Sequence, residues 1–184
     1  MSVFKDRKIA VLIAVVVIVL ATLLGVRGSL SRLSRDIELM FYDGVYMERD
    51  GYTQPSIDSQ LKRHADATLG LATVLMGYQE LEDSAEEVIR LRRVLLEADA
   101  IGDKSFAFWN MSRYVYSLTQ AAADVALSER DLEAVSSYSA TITGAEGFIR
   151  DAAYNQESNR LWNEQSFIAR IISMLIPIKQ PGMF

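Results

Sequence analysis

Near its start the chain has an apolar run, from Ile9 to Val26, in which no charged residue occurs. A helix needs roughly 17 to 25 apolar residues to cross the hydrocarbon core of a bilayer, and this run has about 18. The pattern therefore predicts a single-pass transmembrane anchor, with the lipid bilayer as its partner. A cleaved secretory signal is the alternative, because basic residues precede the run. The length of the run and the lack of a small-x-small cleavage site favour the anchor.

Cations flank this run on both sides and bear on its orientation. Those before it nearly balance those after it, and the N-terminal amine adds one more charge to the first set. We therefore expect a cell-membrane protein whose N-terminus is inside and whose bundle is extracytoplasmic. The two sets are Lys5, Arg7 and Lys8, and Arg27, Arg32 and Arg35.

Apolar residues recur at steps of three and four beyond the run, which is the spacing of one helix face. This repeat predicts that the anchor helix continues without a hinge as a stalk of about 40 residues, or roughly 60 Å. Asp50, Gly51 and Pro55 predict a break from Glu48 to Pro55. No alternating stretch is long enough to predict a strand. The stalk repeat consists of Leu23, Val26, Leu30, Leu33, Ile37, Met40, Gly44 and Met47.

Three further amphipathic helices, the second to fourth of the predicted bundle, follow that break. Ser56 caps the second, which ends near Gly102. The third carries the stripe from Phe108 to Val125, and Ser128 caps the fourth. The predicted fold class is all-α, with the anchor continuing into an antiparallel up-and-down four-helix bundle of long helices. The predicted segments are a basic N-terminus (1–8), the anchor (9–26), the bundle domain (27–166) and an apolar tail (167–184).

The C-terminal tail contains a stretch that is apolar on most sides and, at about 12 residues, too short to span a bilayer. We expect its surface to be buried, and two arrangements are open. Either the tail packs on the end of the bundle, or it lies in the membrane interface or on a partner protein. The residues of this predicted interaction surface are Phe167, Ile168, Ile171, Ile172, Leu175 and Ile176.

Composition argues against several kinds of site. The net charge of −5 and the pI near 5.0 argue against nucleic acid as a partner. Because the chain has no cysteine, it has no disulfide, zinc–thiolate site or thiol nucleophile. Its single histidine, His64, cannot supply the two Glu-x-x-His motifs of a di-metal bundle, and we expect a structural role. No phosphate loop or nucleophile elbow occurs, so we predict no cofactor, metal site or catalytic activity.

Glu146 falls on the apolar stripe between Ile142 and Ile149, so it needs a partner if it is buried. Arg92, on the apolar seam of another predicted helix, is the predicted partner in a buried polar pair. The alternative is that the helix rotates slightly and Glu146 reaches water.

Aromatic residues cluster in the predicted third helix. Such a cluster suggests a ligand pocket, but aromatic side chains at helical spacing are more often part of the core. We therefore expect core packing. The residues are Phe106, Phe108, Trp109, Tyr114 and Tyr116.

Several short strings resemble the LemA family. The segment from Ile57 to Asp66, followed by Met76-Gly77-Tyr78, is similar to the first long helix of that family. Tyr42-Asp43-Gly44-Val45 resembles the motif that opens its domain just after the anchor. Ala153-Tyr154-Asn155 and the tail from Ala169 to Phe184 resemble its last long helix and its C-terminus.

The chain also departs from the family pattern. Arg63 and His64 stand where two arginines are usual, and Leu69 and Gly70 stand where Pro-Asn is usual. These differences indicate a divergent member. The resemblance implies a bacterial single-pass anchor, a bundle of long antiparallel helices, no established enzymatic activity and a role in assemblies at the membrane.

Pattern and resemblance together predict a membrane-anchored scaffold or adaptor without catalytic activity. Its amphipathic surfaces would bind copies of the same chain or a membrane protein partner. The alternative is a helical bundle that senses a ligand or ion and signals through a membrane partner. A sensed ligand would raise the thermal midpoint, because it binds only the folded state.

Overall fold

The computed structural model describes residues 35–48 and 51–152, together with positions 17, 21, 25, 31, 32 and 155. This part of the chain is mainly helical, with one short β-hairpin, which agrees with the predicted all-α class. Residues 35–43 belong to a first helix, α1. The elements after it are β1 (Val45–Met47), β2 (Tyr52–Gln54), α2 (Ile57–Leu75), α3 (Glu82–Glu97), α4 (Ile101–Ala122) and α5 (Glu129–Asp151).

Helix α2 is the centre of the bundle and packs against α3 and α5, while α3 also packs against α4. Contacts between named residues give the directions. Tyr78, just beyond the end of α2, bonds to Asp131 at the start of α5, so these helices are antiparallel. Asp58 and Lys104 pair near the starts of α2 and α4, which are therefore parallel. The helices α2, α3, α4 and α5 therefore run up, down, up and down.

The core lies along α2 and draws apolar side chains from every helix. Ile37 and Phe41 of α1 are buried in it, so α1 packs on the bundle. Ser56 and Ser128 cap α2 and α5 by accepting hydrogen bonds from backbone N–H groups three residues on, as predicted. The largest fully buried apolar side chains are Phe41, Phe108, Ile57, Leu71, Leu75, Leu95, Met111, Leu118 and Ile149.

The predicted stalk repeat extends too far, because α1 ends at residue 43 and a β-hairpin follows. Gly44 has φ +84°, and a Cβ there would collide with the backbone oxygen of Gln54. Only glycine adopts this conformation easily, so the chain turns at Gly44, four residues before the predicted break at Glu48. The two antiparallel strands have three residues each, which is too short for an alternating pattern to be visible in the sequence.

The predicted second helix, from Ser56 to Gly102, is two helices, α2 and α3. They are separated by a turn between Leu75 and Glu82. The apolar spacing continues through this turn, so the helical pattern in the sequence does not reveal it. The Tyr78 hydroxyl secures the turn, because it donates to Asp131 at 2.7 Å and accepts from the backbone N–H of Ser128 at 3.0 Å.

In the part of the chain that the structure describes, no helix has the length and apolar character needed to cross a membrane. The predicted anchor, residues 9–26, lies outside the described residues except for positions 17, 21 and 25. The predicted tail, residues 167–184, lies outside them entirely.

Gly70 lies in the middle of α2, where the ring of Tyr138 from α5 occupies the place of a Cβ atom. Gly144 in α5 has open space at the same position. We expect Gly144→Ala to raise the free energy of unfolding by about 1 kcal/mol through helix propensity. Gly70→Ala should give no gain, because the methyl group displaces Tyr138. Thermal unfolding of both variants tests this, and an equal gain from the two would contradict it.

Candidate functional site

His64 lies at the meeting point of three helices and its side chain is fully buried. Its Nε2 atom is 3.1 Å from Oε1 of Glu146 on α5 and 3.4 Å from Oγ of Ser112 on α4. Its Nδ1 atom is 3.3 Å from Oγ1 of Thr68, one turn further along α2. We call His64, Thr68, Ser112 and Glu146 the His64 cluster.

Local sequence places each member of this cluster on an inner face. Thr68 follows His64 by four residues, so the two side chains lie on the same side of α2. Phe108, one turn before Ser112, meets the imidazole ring edge-on with a centroid distance of 5.0 Å. The cluster is therefore a group of polar side chains inside the core, with the Phe108 ring packed against it.

The hydrogen bonds of the cluster fit a ring that carries its proton on Nε2. Nε2–H then donates to Glu146, and Nδ1 accepts from the Thr68 hydroxyl. The bond from His64 lowers the pKa of Glu146, and a weaker bond from Ser112 adds to this, whereas burial acts to raise it. Glu146 is thus held as a carboxylate, with 24% of its side chain exposed.

The cluster combines two hydroxyls, an imidazole and a carboxylate. In a nucleophilic relay the carboxylate orients one ring nitrogen and the hydroxyl uses the other. Glu146 at Nε2 and Thr68 at Nδ1 lie on opposite ring nitrogens in this way, whereas Ser112 faces the same nitrogen as Glu146. Thr68 and the imidazole ring have no exposed surface, so this hydroxyl does not reach solvent. The arrangement fits a structural link between α2, α4 and α5. Among the described residues, no group of three or more acidic, histidine or cysteine side chains is placed to hold a metal ion.

The structure pairs both Glu146 and Arg92, but not with each other. Arg92 donates from Nε to the backbone oxygen of Ala65 at 2.9 Å and from Nη2 to Asp66 at 3.0 Å. The reason is positional, because α3 and α5 each pack on α2 and not closely on one another. The partner of Glu146 is His64, for which the sequence predicts a structural role but no partner.

A second polar cluster lies where α2 and α4 begin. No polar cluster is predicted there from the sequence. Asp58 bonds to Lys62 and Lys104 at 2.6 Å each, and the Lys104 ammonium lies 5.6 Å from the centroid of the Tyr42 ring. Burial raises the pKa of Asp58, but the hydrogen bonds from Lys104 and Lys62 outweigh it and leave the pKa lowered. The four-residue spacing of Asp58 and Lys62 predicts their ion pair on one helix face. The contact with Lys104 cannot be predicted in this way, because Lys104 lies on another helix.

Both clusters make stability depend on pH. The pKa values of Asp58 and Glu146 in the folded protein lie below their ordinary values of 3.8 and 4.5. Their contribution is complete above the ordinary values and is lost as the pH falls through the folded-state values. We expect the free energy of unfolding, from denaturant titrations, to decline as the pH falls below about 4.5. Glu146→Gln should make that decline shallower, and an unchanged profile would contradict the assignment.

A shallow open groove of about 560 Å³ runs between α2 and α5. Cations, hydroxyls and one carboxylate line it. Asp66 is already bonded to Arg92, and Lys62 is bonded to Asp58. The lining residues are Ser59, Lys62, Arg63, Asp66, Ala67, Ser137, Tyr138 and Thr141.

The prediction that the aromatic residues of α4 pack in the core is wrong for most of them. Phe108 is fully buried, whereas Phe106, Trp109 and Tyr116 are 77%, 41% and 67% exposed. Together with Arg113 these three exposed residues follow one another at steps of three, four and three, so they share one side of α4. We call Phe106, Trp109, Arg113 and Tyr116 the α4 aromatic face. Tyr114 is also exposed, at 42%, and lies to one side of it.

The predicted C-terminal interaction surface lies outside the described residues; its members are Phe167, Ile168, Ile171, Ile172, Leu175 and Ile176.

Comparisons of the chain with protein-family models, with curated proteins and with solved structures found no match. The α4 aromatic face, the groove and the two polar clusters are therefore the features on which a functional proposal rests.

Proposed function

We propose that this chain is a membrane-anchored helical scaffold of the LemA type, which assembles proteins at a bacterial membrane and has no catalytic activity. The observation that carries the proposal is the α4 aromatic face. Large exposed aromatic side chains are costly in water unless a partner covers them, and Tyr, Trp and Arg are enriched where proteins bind each other.

The internal polar groups support this proposal over an enzymatic one. The His64 cluster is enclosed in the bundle, and its hydrogen bonds are made within the protein. The Asp58 cluster holds its charge between two lysines. Both stabilise the helical frame. The imidazole of His64 and the hydroxyl of Thr68 are fully buried, and the more exposed groups, Glu146 and Lys62, are held in hydrogen bonds to other members of their clusters.

The membrane part of the proposal rests on the apolar run at 9–26 and on the resemblance to the LemA family. The packing of α1 on the bundle core suits it, because an anchor joined to α1 would hold the bundle close to the bilayer. As proposed, the bundle is extracytoplasmic.

Membrane fractionation tests the anchor. The full chain should stay in the membrane pellet after alkaline carbonate extraction, and deletion of residues 9–26 should release it. A control deletion of 176–184 should leave the chain in the pellet. Release of the full chain would overturn the anchor. Retention after the 9–26 deletion would mean that the anchor is wrong or that the tail contacts the membrane, and removing residues 167–184 from the same variant separates the two.

Ligand sensing is the second candidate, and the groove between α2 and α5 is the observation that favours it. The groove offers the side chains of Lys62 and Arg63 beside several hydroxyls, a mixture that suits a small anionic, hydroxylated ligand. Thermal unfolding with a panel of sugar phosphates tests it. A midpoint that rises with ligand concentration, and that Arg63→Ala abolishes, favours sensing. No shift across the panel would count against it.

A further inference from the structure

We infer that the α4 aromatic face binds a second copy of this chain, with the two α4 helices antiparallel about a two-fold axis level with Met111. This inference rests on the proposed scaffold function and names the partner. It follows from how the four residues of the face are spaced along α4.

The face is narrow enough to form one contact stripe. At about 100° per residue, Phe106, Trp109, Arg113 and Tyr116 fall within an arc of roughly 80°. Gly102 and Gln120 fall near the middle of the same arc. They lie about one turn beyond the two ends of the stripe along the helix axis, and both are exposed. The aromatic stripe is thus bounded by uncharged positions.

The spacing is symmetrical, which is the condition for a two-fold interface. Phe106 and Trp109 are separated by three residues, as are Arg113 and Tyr116. In an antiparallel pair centred at Met111, Phe106 therefore lies opposite Tyr116 of the partner subunit. Trp109 lies opposite Arg113 of the partner subunit, and each pair occurs twice.

Both opposed pairs are favourable in kind. Phe106 and Tyr116 of the partner subunit form an aromatic pair. Trp109 receives the guanidinium of Arg113 of the partner subunit, and a tryptophan face is the best acceptor for such a cation. Arg113 is exposed, and its Nη2 atom donates to the side-chain oxygen of Asn110 at 3.1 Å, a bond at the helix surface that has to open for the guanidinium to meet the indole ring.

A parallel pair in the same register is disfavoured by charge. It would place Arg113 directly against Arg113 of the partner subunit, and like charges across an interface oppose association. The antiparallel register separates these two cations by about 6 Å along the helix axis and covers each with an indole ring.

The available area indicates a weak dimer. Side chains of this kind carry about 150 to 250 Å² each, so the exposed fractions leave roughly 350 Å² of aromatic surface per chain. Two copies bring about 700 Å² together, which is below the roughly 1,000 Å² of a weak specific interface, so flanking residues of α4 must supply the rest. We expect association that depends on concentration and is favoured when the chains share a membrane.

Crosslinking in membranes tests the register, because the full chain has no cysteine of its own. Gly102→Cys and Gln120→Cys leave the aromatic face intact. With a short bismaleimide crosslinker, a mixture of the two variants should give dimers. Either variant alone should give none, because identical positions lie about 27 Å apart in the antiparallel pair. Dimers from each variant alone, or none from the mixture, would overturn the inference.

Sedimentation of the purified full chain in detergent gives an independent measurement. Arg113→Glu, which places a carboxylate opposite Trp109 of the partner subunit, should raise the dimer dissociation constant at least tenfold. Leu132→Ser, a matched change at a 59% exposed residue of α5, should leave it unchanged. A chain that is monomeric at all concentrations overturns the self-association. The scaffold function fails separately, if a photo-crosslinker at Tyr116 captures no protein in membranes.

Discussion

His64→Ala is expected to lower the free energy of unfolding by about 3 kcal/mol. The imidazole ring is fully buried, so its loss leaves a cavity against Phe108. It also removes the main hydrogen-bond donor of Glu146 and leaves this half-buried carboxylate with only the weaker bond from Ser112. Urea titration of the variant at pH 7 measures the effect.

Two variants show whether this cost comes from the His64 cluster. Arg63→Ala changes the neighbouring exposed residue and should alter the free energy of unfolding by no more than about 0.5 kcal/mol. Glu146→Gln keeps an acceptor for Nε2–H and should cost about 1 kcal/mol. If His64→Ala costs no more than Arg63→Ala, the cluster does not stabilise the bundle.

Asp58→Asn is expected to destabilise the protein by about 2 kcal/mol, because it leaves a partly buried cation without its counter-charge. The Lys104 side chain is only 15% exposed and lies 2.6 Å from Asp58, whereas that of Lys62 is 64% exposed. Lys62→Ala should therefore cost no more than about 0.5 kcal/mol, although Lys62 contacts the same carboxylate. Denaturant titrations at pH 7 compare the two variants. Equal costs would contradict the view that burial of Lys104 makes this pair important.

Helical periodicity predicts much of this fold, because apolar residues at steps of three and four mark the face that each helix buries. Val115 and Leu118 of α4 and Ile142 and Ile149 of α5 are buried on their predicted stripes. The break between α2 and α3 is not readable, because its contact partner, Asp131, lies more than fifty residues away. Local periodicity carries no information about such a contact.

The polar clusters show the same division. The position of Glu146 between two apolar residues predicts that it needs a partner, and the structure gives it one. The identity of that partner depends on which side of α2 faces α5, and this is a property of the packed bundle. The exposure of Phe106 and Tyr116 follows from the apolar stripe that starts at Phe108, because neither residue falls on that stripe. The prediction of core packing was wrong for them because it weighed only their aromatic character.

The central claim is that the α4 aromatic face binds protein at a membrane. The most direct measurement places a benzophenone amino acid at Tyr116 of the full chain, with Leu132 as the control position, and irradiates intact membranes. Discrete protein adducts from position 116, absent from position 132, are the predicted result, with a second copy of the chain among them. Adducts with lipid alone at position 116, or the same pattern at both positions, would contradict the claim.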